Sequence, residues 1–205
     1  MANKREYVIV HHSITPRDLN ANITESSFNN SHKRRGFPKS TKGWYIGYHF
    51  VVFGDGEVRQ YRKDNETGAH CREGSMNFKG VGICMVGNFD KEVPSKEQAL
   101  ATLKLIKQLQ KDYKIPSTNV QGHREYATYK SCPGNNIPDD IIGYLASFDE
   151  DEPSEWAKGF IDEAKAWGVS NGKRPLDNIT REEAITMVMR AVEALEGVID
   201  DKSNS

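Results

Sequence analysis

Two short apolar runs limit this chain most: "YVIV" at Tyr7–Val10 and "VGICMVG" at Val81–Gly87. Neither is long enough for a typical helix, and neither alternates apolar with polar residues. Each therefore reads as a strand buried inside a sheet. "YHFVVFGDGEVRQYR" reads as two strands around a turn, with Asp55-Gly56 at the turn. Further on, Ser95 and Gln98 stand at capping-box spacing. The helix they open puts Ala99, Leu103, Ile106, Leu109 and Tyr113 on one broad face, and Pro116 ends the pattern. "NVQGH" reads as a short strand that delivers His123 to its end, and "IPDDIIGYLAS" as a closing helix. Strands and helices in this alternation predict an α/β domain with a mostly buried central sheet.

The pattern breaks near "FDEDEPSEW", where four consecutive acids precede Pro153 and Ser154. Charge shifts at the same place. Residues 148–205 hold seven Lys+Arg against fourteen Asp+Glu, whereas the rest of the 205-residue chain holds 21 against 15. The expected division is a domain over 1–147, an acidic linker over 148–155 and a small helical module over 156–205. The basic surplus of the first part suits either an anionic polymer or an ordinary solvated surface. No nucleic-acid partner is expected. No apolar run approaches the ~20 residues that span a bilayer, so no transmembrane segment is expected. The N-terminus "MANKREYVIV" passes from charge straight into a strand, without the apolar stretch of a signal peptide. Synthesis in a cytoplasm without an export signal is the corresponding expectation. Three cysteines, Cys71, Cys84 and Cys132, do not make a disulfide framework.

The segment "GHREYATYKSCPG" (Gly122–Gly134) sets His123 nine residues before Cys132, with Lys130 two residues before that cysteine. His11 and His12 end the first strand. Neighbouring strand residues point to opposite faces, so only one of the two serves a given site. Two imidazoles and a thiolate, with a fourth position for water, are a zinc-site composition. Such a site lowers the pKa of water and polarises a carbonyl. The ligands are far apart in sequence, so spacing alone is a weak signal and favours a buried structural cysteine among ordinary histidines.

Four ordered stretches, "YVIVHHSIT", "GYHFVVFGDGEV", "GVGICMVGN" and "GHREYATYKSCPG", resemble the type 2 N-acetylmuramoyl-L-alanine amidases, the group of T7 lysozyme and the peptidoglycan-recognition proteins. The resemblance runs from about Arg5 to Leu145. It implies a central mixed sheet flanked by helices and one zinc ion per chain. It implies His11, His123 and Cys132 as the zinc ligands, with Tyr48 of "GYHF" and Lys130 as catalytic residues. In that reading Tyr48 hydrogen-bonds the attacking water and Lys130 stabilises the developing oxyanion. His49, one residue after Tyr48, faces the other way and is structural or supports a ligand. "TGAHCREGSMNFKGVGI" takes the place of a family segment that lines the peptide groove, with His70 and Asn77 at its polar positions. These two either bind substrate or hold the segment's own turns. Cys71 and Cys84 read as structural. The implied reaction is hydrolysis of the amide between N-acetylmuramic acid and L-alanine in bacterial peptidoglycan, as in a phage endolysin that lyses the cell wall. The alternative is a non-catalytic module that binds or senses peptidoglycan.

The tail has its own pattern. Trp156, Phe160, Ile161, Ala164 and Trp167 share one helical face, and Gly168 follows. After "NGKRPLDN", Thr180 and Glu183 make a second capping box before a helix with Ala184, Met187, Val188, Ala191 and Leu195. This resembles a single S-layer homology repeat, which implies binding to a secondary cell-wall polymer. A helical hairpin that packs on the first domain, or joins chains into a homo-oligomer, is the alternative.

Overall fold

The computed structural model describes residues 4–146, 148, 158–170 and 184–192. The chain divides into two compact units, Met1–Phe148 and Asp149–Ser205. The first is built on β1 (Tyr7–His12), α1 (Ala21–Arg34), β2 (Phe50–Val52), β3 (Val58–Gln60), α2 (Met76–Lys79), β4 (Gly80–Met85), α3 (Lys96–Tyr113), β5 (Val120–Gly122) and α4 (Ile141–Ala146). The five strands form one sheet in the order β3-β2-β4-β1-β5. Only the β2–β3 hairpin is antiparallel. This is the mixed α/β sheet flanked by helices that the sequence predicts.

The two apolar runs occupy the middle of the sheet as β4 and β1. Val8, Ile9, Val10, Val81 and Ile83 have no exposed surface. Side chains alternate across the sheet. Val8 and Val10 face Ile106 and Leu109 of α3 and Ile141 and Leu145 of α4 in the larger core. Ile9 faces the opposite way, with Cys71 and Met76. A third cluster joins Phe28 of α1 to Val51, Phe53 and Cys84.

The capping box at Ser95 forms by half. Ser95 Oγ accepts the Gln98 backbone N–H at 3.0 Å. The Gln98 amide does not return to the cap. It is fully buried and donates to the carbonyls of Val52 and Val86, which ties α3 to the ends of two strands. Gly56 takes φ +87° at the hairpin turn, where only glycine is comfortable. Asn20 caps α1, its side chain accepting from the N–H groups of Asn22 and Ile23.

Two buried guanidiniums replace regular structure in the connections. Arg62 donates to the carbonyls of Ile46 (2.8 Å), Pro38 (2.6 Å) and Thr67 (3.2 Å). Arg5 donates to Asp64, Glu66, Phe78 (2.5 Å) and Gly80 (3.1 Å). Burial lowers the pKa of both, yet each is satisfied by carbonyl dipoles rather than by a buried carboxylate.

In the second unit, α5 (Lys158–Ala166) and residues 184–192 are helical. Phe160 and Trp167 of the first apolar face, and Val188 of the second, are exposed. Trp156, linker residues 149–155, the segment 171–178, the Thr180–Glu183 box and Leu195 lie outside the described residues. No helix among the described residues is long and apolar enough to cross a membrane.

Replacing Arg62 by Met should leave the buried Ile46 carbonyl without a donor, while those of Thr67 and Pro38 lie nearer to water. A buried acceptor left unpaired costs ~1–3 kcal/mol. Urea unfolding of the first unit should show a loss of about 1–3 kcal/mol with an unchanged slope. A loss below about 1 kcal/mol would mean that these carbonyls find other donors.

Candidate metal centre

The site begins with strand register. β1 and β5 run parallel with Val10 opposite Gly122. The next residue on each, His11 and His123, therefore stands beside the other at the carboxyl ends of the strands. Their ring centroids are 4.6 Å apart. His12 points to the other face, where its Nδ1 accepts the backbone N–H of Phe89 at 3.2 Å. The doublet supplies one site residue, as strand geometry requires.

Cys132 arrives on a loop that is strapped down. The Arg124 backbone N–H donates to the Cys132 carbonyl at 2.7 Å. The Arg124 guanidinium donates to the carbonyls of Ser131, Gly134 and Ile137 and to the Asp139 carboxylate. Asp90 accepts from the Ser131 hydroxyl and the Asn135 N–H, both at 2.9 Å. Gly134 has φ +116°, and a Cβ there would lie 2.5 Å from the Phe89 carbonyl carbon. The loop can press on Phe89 only through glycine. These ties bring Cys132 Sγ to 3.6 Å from His11 Nδ1. One ligand atom each from His11, His123 and Cys132 then falls within 4.8 Å of the other two, and all three residues are buried.

His70 touches this centre directly. Its Nδ1 is 3.1 Å from His11 Nε2. With His11 Nδ1 turned toward the thiol, Nε2 carries the proton and donates to His70. The His70 ring lies flat against β4, where a Cβ on Gly82 would come 2.5 Å from its Cγ. Asn77 holds the segment together: its Oδ1 accepts the N–H groups of His70 (2.7 Å) and Cys71 (2.9 Å). Both residues also line a groove of about 290 Å³ with Arg35, Glu73 and Lys130. His49 is structural. Its Nδ1 accepts the Gly82 N–H at 2.9 Å, and its Nε2 meets the Glu66 carbonyl at 2.7 Å.

Tyr48 and Lys130 share a larger cleft of about 590 Å³ with His11, His123 and Cys132. The Tyr48 ring is 5.2 Å from that of His11. Lys130 is exposed at the rim, its Nζ 5.4 Å over the Tyr129 ring. Cys71, Cys84 and Cys132 are all buried and free. Sequence reasoning missed His32, whose Nδ1 accepts the Gly47 N–H and whose ring stacks on Phe37 inside the same cleft. It also missed Glu73, Arg124 and Asp90. For Arg124 the signal was its place beside His123; for Glu73 there was none.

The electrostatics favour ligation. Burial, then His70, His123 and Lys130, holds His11 well below its usual range. Burial and Lys130 lower His123 to about 4. Both imidazoles are neutral at pH 7 and able to offer a lone pair. Burial pushes the Cys132 thiol up to about 11, against the pull of the His12 backbone and Lys130. Burial, with Cys84 and Cys132 close by, keeps Tyr48 a neutral phenol. Two neutral imidazoles and a thiol, all buried, fit zinc, which prefers three such ligands and an open fourth direction in catalytic sites.

A mixed five-stranded α/β sheet carries two histidines at its strand ends and a cysteine on a neighbouring loop. The family profile described as N-acetylmuramoyl-L-alanine amidase matches residues 1–135, and the chain belongs to that family. That family is generally zinc-dependent. The chain is 33% identical over 133 residues to peptidoglycan-recognition protein LB of Drosophila melanogaster, covering 64% of this chain and 55% of that one. It is 30% identical over 143 residues to the N-acetylmuramoyl-L-alanine amidase of Sus scrofa, covering 64% of this chain and 22% of that one. The chain thus spans about half of the first relative and a fifth of the second. Among solved structures it is similar to the amidase LysC of Clostridium intestinale URNW, with TM-score 0.57 and 26% identity over 71% of this chain and 85% of that one. It is also similar to the Ph2119 endolysin of a Thermus scotoductus bacteriophage, with TM-score 0.56 and 25% identity over 72% of this chain and 86% of that one.

Metal affinity should depend on pH in a defined direction. Above about pH 5 the two imidazoles are already neutral, so only the Cys132 proton must leave when zinc binds. Affinity should rise about tenfold per pH unit from pH 6 to 8, because one proton is released per ion. Competition with a chromophoric chelator at several pH values measures this slope. A slope near zero would show that Cys132 is not the group that loses a proton.

Proposed function

We propose that this protein is a zinc-dependent N-acetylmuramoyl-L-alanine amidase that cuts the bond between the lactyl group of N-acetylmuramic acid and the L-alanine of the stem peptide. One observation carries the reading: His11, His123 and Cys132 meet in the same cleft as Tyr48 and Lys130. A zinc ion held by the triad would supply Lewis acidity and lower the pKa of a water. The protein's own groups do the rest. Tyr48, a neutral phenol, orients the attacking water by hydrogen bonding. Lys130 faces the carbonyl oxygen as charge develops there. Water oxygen bonds to the lactyl carbon, the C–N bond breaks, and the nitrogen leaves with a proton as the free amine of L-alanine. His70 keeps His11 oriented, and the groove past His70 and Asn77 takes the stem peptide. The amidase and endolysin neighbours support a wall-lytic role of the phage type.

Incubation of defined muropeptides with the protein should release new L-alanine amino termini, and chelation should stop it. Lys130→Ala and Tyr48→Phe should keep their zinc and lose on the order of a hundredfold in turnover. Binding of muropeptide without new termini, with zinc bound, would favour a recognition module instead, as the similarity to a peptidoglycan-recognition protein allows.

The tail has a separate role in this reading: the module over 156–205 holds the enzyme on the wall through a secondary polymer. Exposed Phe160, Trp167 and Val188 support it, because apolar side chains on both of its helical stretches await a partner. A chain ending at Phe148 should cleave soluble muropeptides at the full rate and sediment less with intact walls. Light scattering separates this from association between chains. Equal sedimentation would place wall binding in the first unit.

A further inference from the structure

His11 has an outer partner in His70, but the outer nitrogen of His123 is unaccounted for. His123 Nε2 is buried, and no hydrogen-bond partner reaches it among the described residues. A buried polar atom in that position is costly unless something answers it. The carboxylate facing it is Glu73, with Oε2 at 3.9 Å. Glu73 is itself held. Its Oε1 accepts the Tyr129 hydroxyl at 3.2 Å, Arg72 stands at 3.6 Å, and the Cys71 thiol is 3.8 Å from Oε2. The turn that sets it there is unusual, with Gly74 and Ser75 both at positive φ. The N–H of its own backbone and the Tyr129 hydroxyl, with Arg72 beside it, hold the carboxyl below its usual range.

We propose that Glu73 is the outer partner of the metal ligand His123, accepting its Nε2–H and thereby leaving Nδ1 as the nitrogen that faces the metal. The inference rests on the zinc reading above. Histidine ligands ordinarily donate their second ring N–H to a carboxylate or carbonyl, which fixes the tautomer and the ring angle. A cation on Nδ1 makes Nε2–H a stronger donor, which favours closure of the 3.9 Å gap to a hydrogen bond. Both imidazoles of the centre would then be aimed by a second residue, His11 by a neutral ring and His123 by an anion. Glu73 is a positioning residue: it need not touch substrate. The same three groups, Cys71, Glu73 and His123, could instead form a second cation site. The positive charges of Arg72 and Lys130 at the groove argue against it.

The test uses the full chain loaded with zinc. Affinity is measured by competition with a chromophoric chelator for the parent, Glu73→Gln and Glu73→Ala. The loss expected is ten- to a hundredfold, larger for Ala than for Gln. Nitrogen-15 NMR of the imidazoles reports the tautomer directly, which a general loss of packing would not change. The parent should show His123 metal-bound through Nδ1 with a proton on Nε2. In Glu73→Ala that proton should exchange faster with solvent. Coordination through Nε2, or affinities within twofold of the parent, would overturn the proposal while leaving zinc binding intact. Two zinc ions per chain, one lost in Cys71→Ser, would overturn it in favour of a second site. Failure of the parent to bind zinc at all would remove the zinc reading and this inference with it.

Discussion

The parallel pairing of β1 with β5 is the constraint on which the candidate site depends. Register alone sets His11 beside His123, and side-chain alternation sends His12 to the opposite face. A slip of one residue would exchange His11 for His12 and turn the core positions outward at the same time. The register is therefore guarded by the core. Val8, Ile9 and Val10 are wholly buried, and each contributes about 1.5–3 kcal/mol through that burial. The same apolar contacts that build the sheet fix the position of the first two ligand side chains.

The third side chain is positioned by polar means. Cys132 sits on an irregular loop, so its placement relies on Arg124, Asp90 and the close approach of Gly134 to Phe89. A division of labour results. The imidazoles are aimed by strands and the thiol by a strapped loop. Burial then adjusts the chemistry: it keeps the histidines neutral and the cysteine and tyrosine protonated. The three donors are therefore neutral and buried, and a cation entering among them meets lone pairs once the thiol proton leaves.

Much of this was legible in the sequence, for physical reasons. β1 and β4 carry short apolar runs, and the hairpin carries Asp55-Gly56. Strand alternation alone predicted that one of His11 and His12 would face a site. The resemblance to the amidases then supplied His11, His123, Cys132, Tyr48 and Lys130, which the structure gathers in one cleft. Helix α1 was not foreseen. Its sequence "ANITESSFNNSHKR" is mostly polar, and its buried strip is only Thr24, Phe28 and His32. The four-residue spacing and the Asn20 cap were the available signals. Gln98 was read as a capping partner, but its amide is drawn to two buried carbonyls instead. Tertiary demand for a donor outweighed the local motif. His70 and Asn77 were offered for the groove; they line it, and they also carry internal bonds that no one-dimensional pattern encodes. Glu73 was invisible, because nothing in "CREGS" distinguishes a glutamate that faces an imidazole from one that faces water.

The flat stretch of β4 has a consequence for how this protein tolerates change. Gly82 brings the strand against the His70 ring, and a single added carbon there would come 2.5 Å from its Cγ. A saturation survey of substitutions would thus find at position 82 the intolerance normally seen for residues that handle substrate. Its origin would be different. That glycine touches no reacting atom; it contributes empty volume, which lets a supporting imidazole lie where it can hold His11. In this chain, part of the blueprint of the candidate metal centre is written in a residue that has no side chain at all.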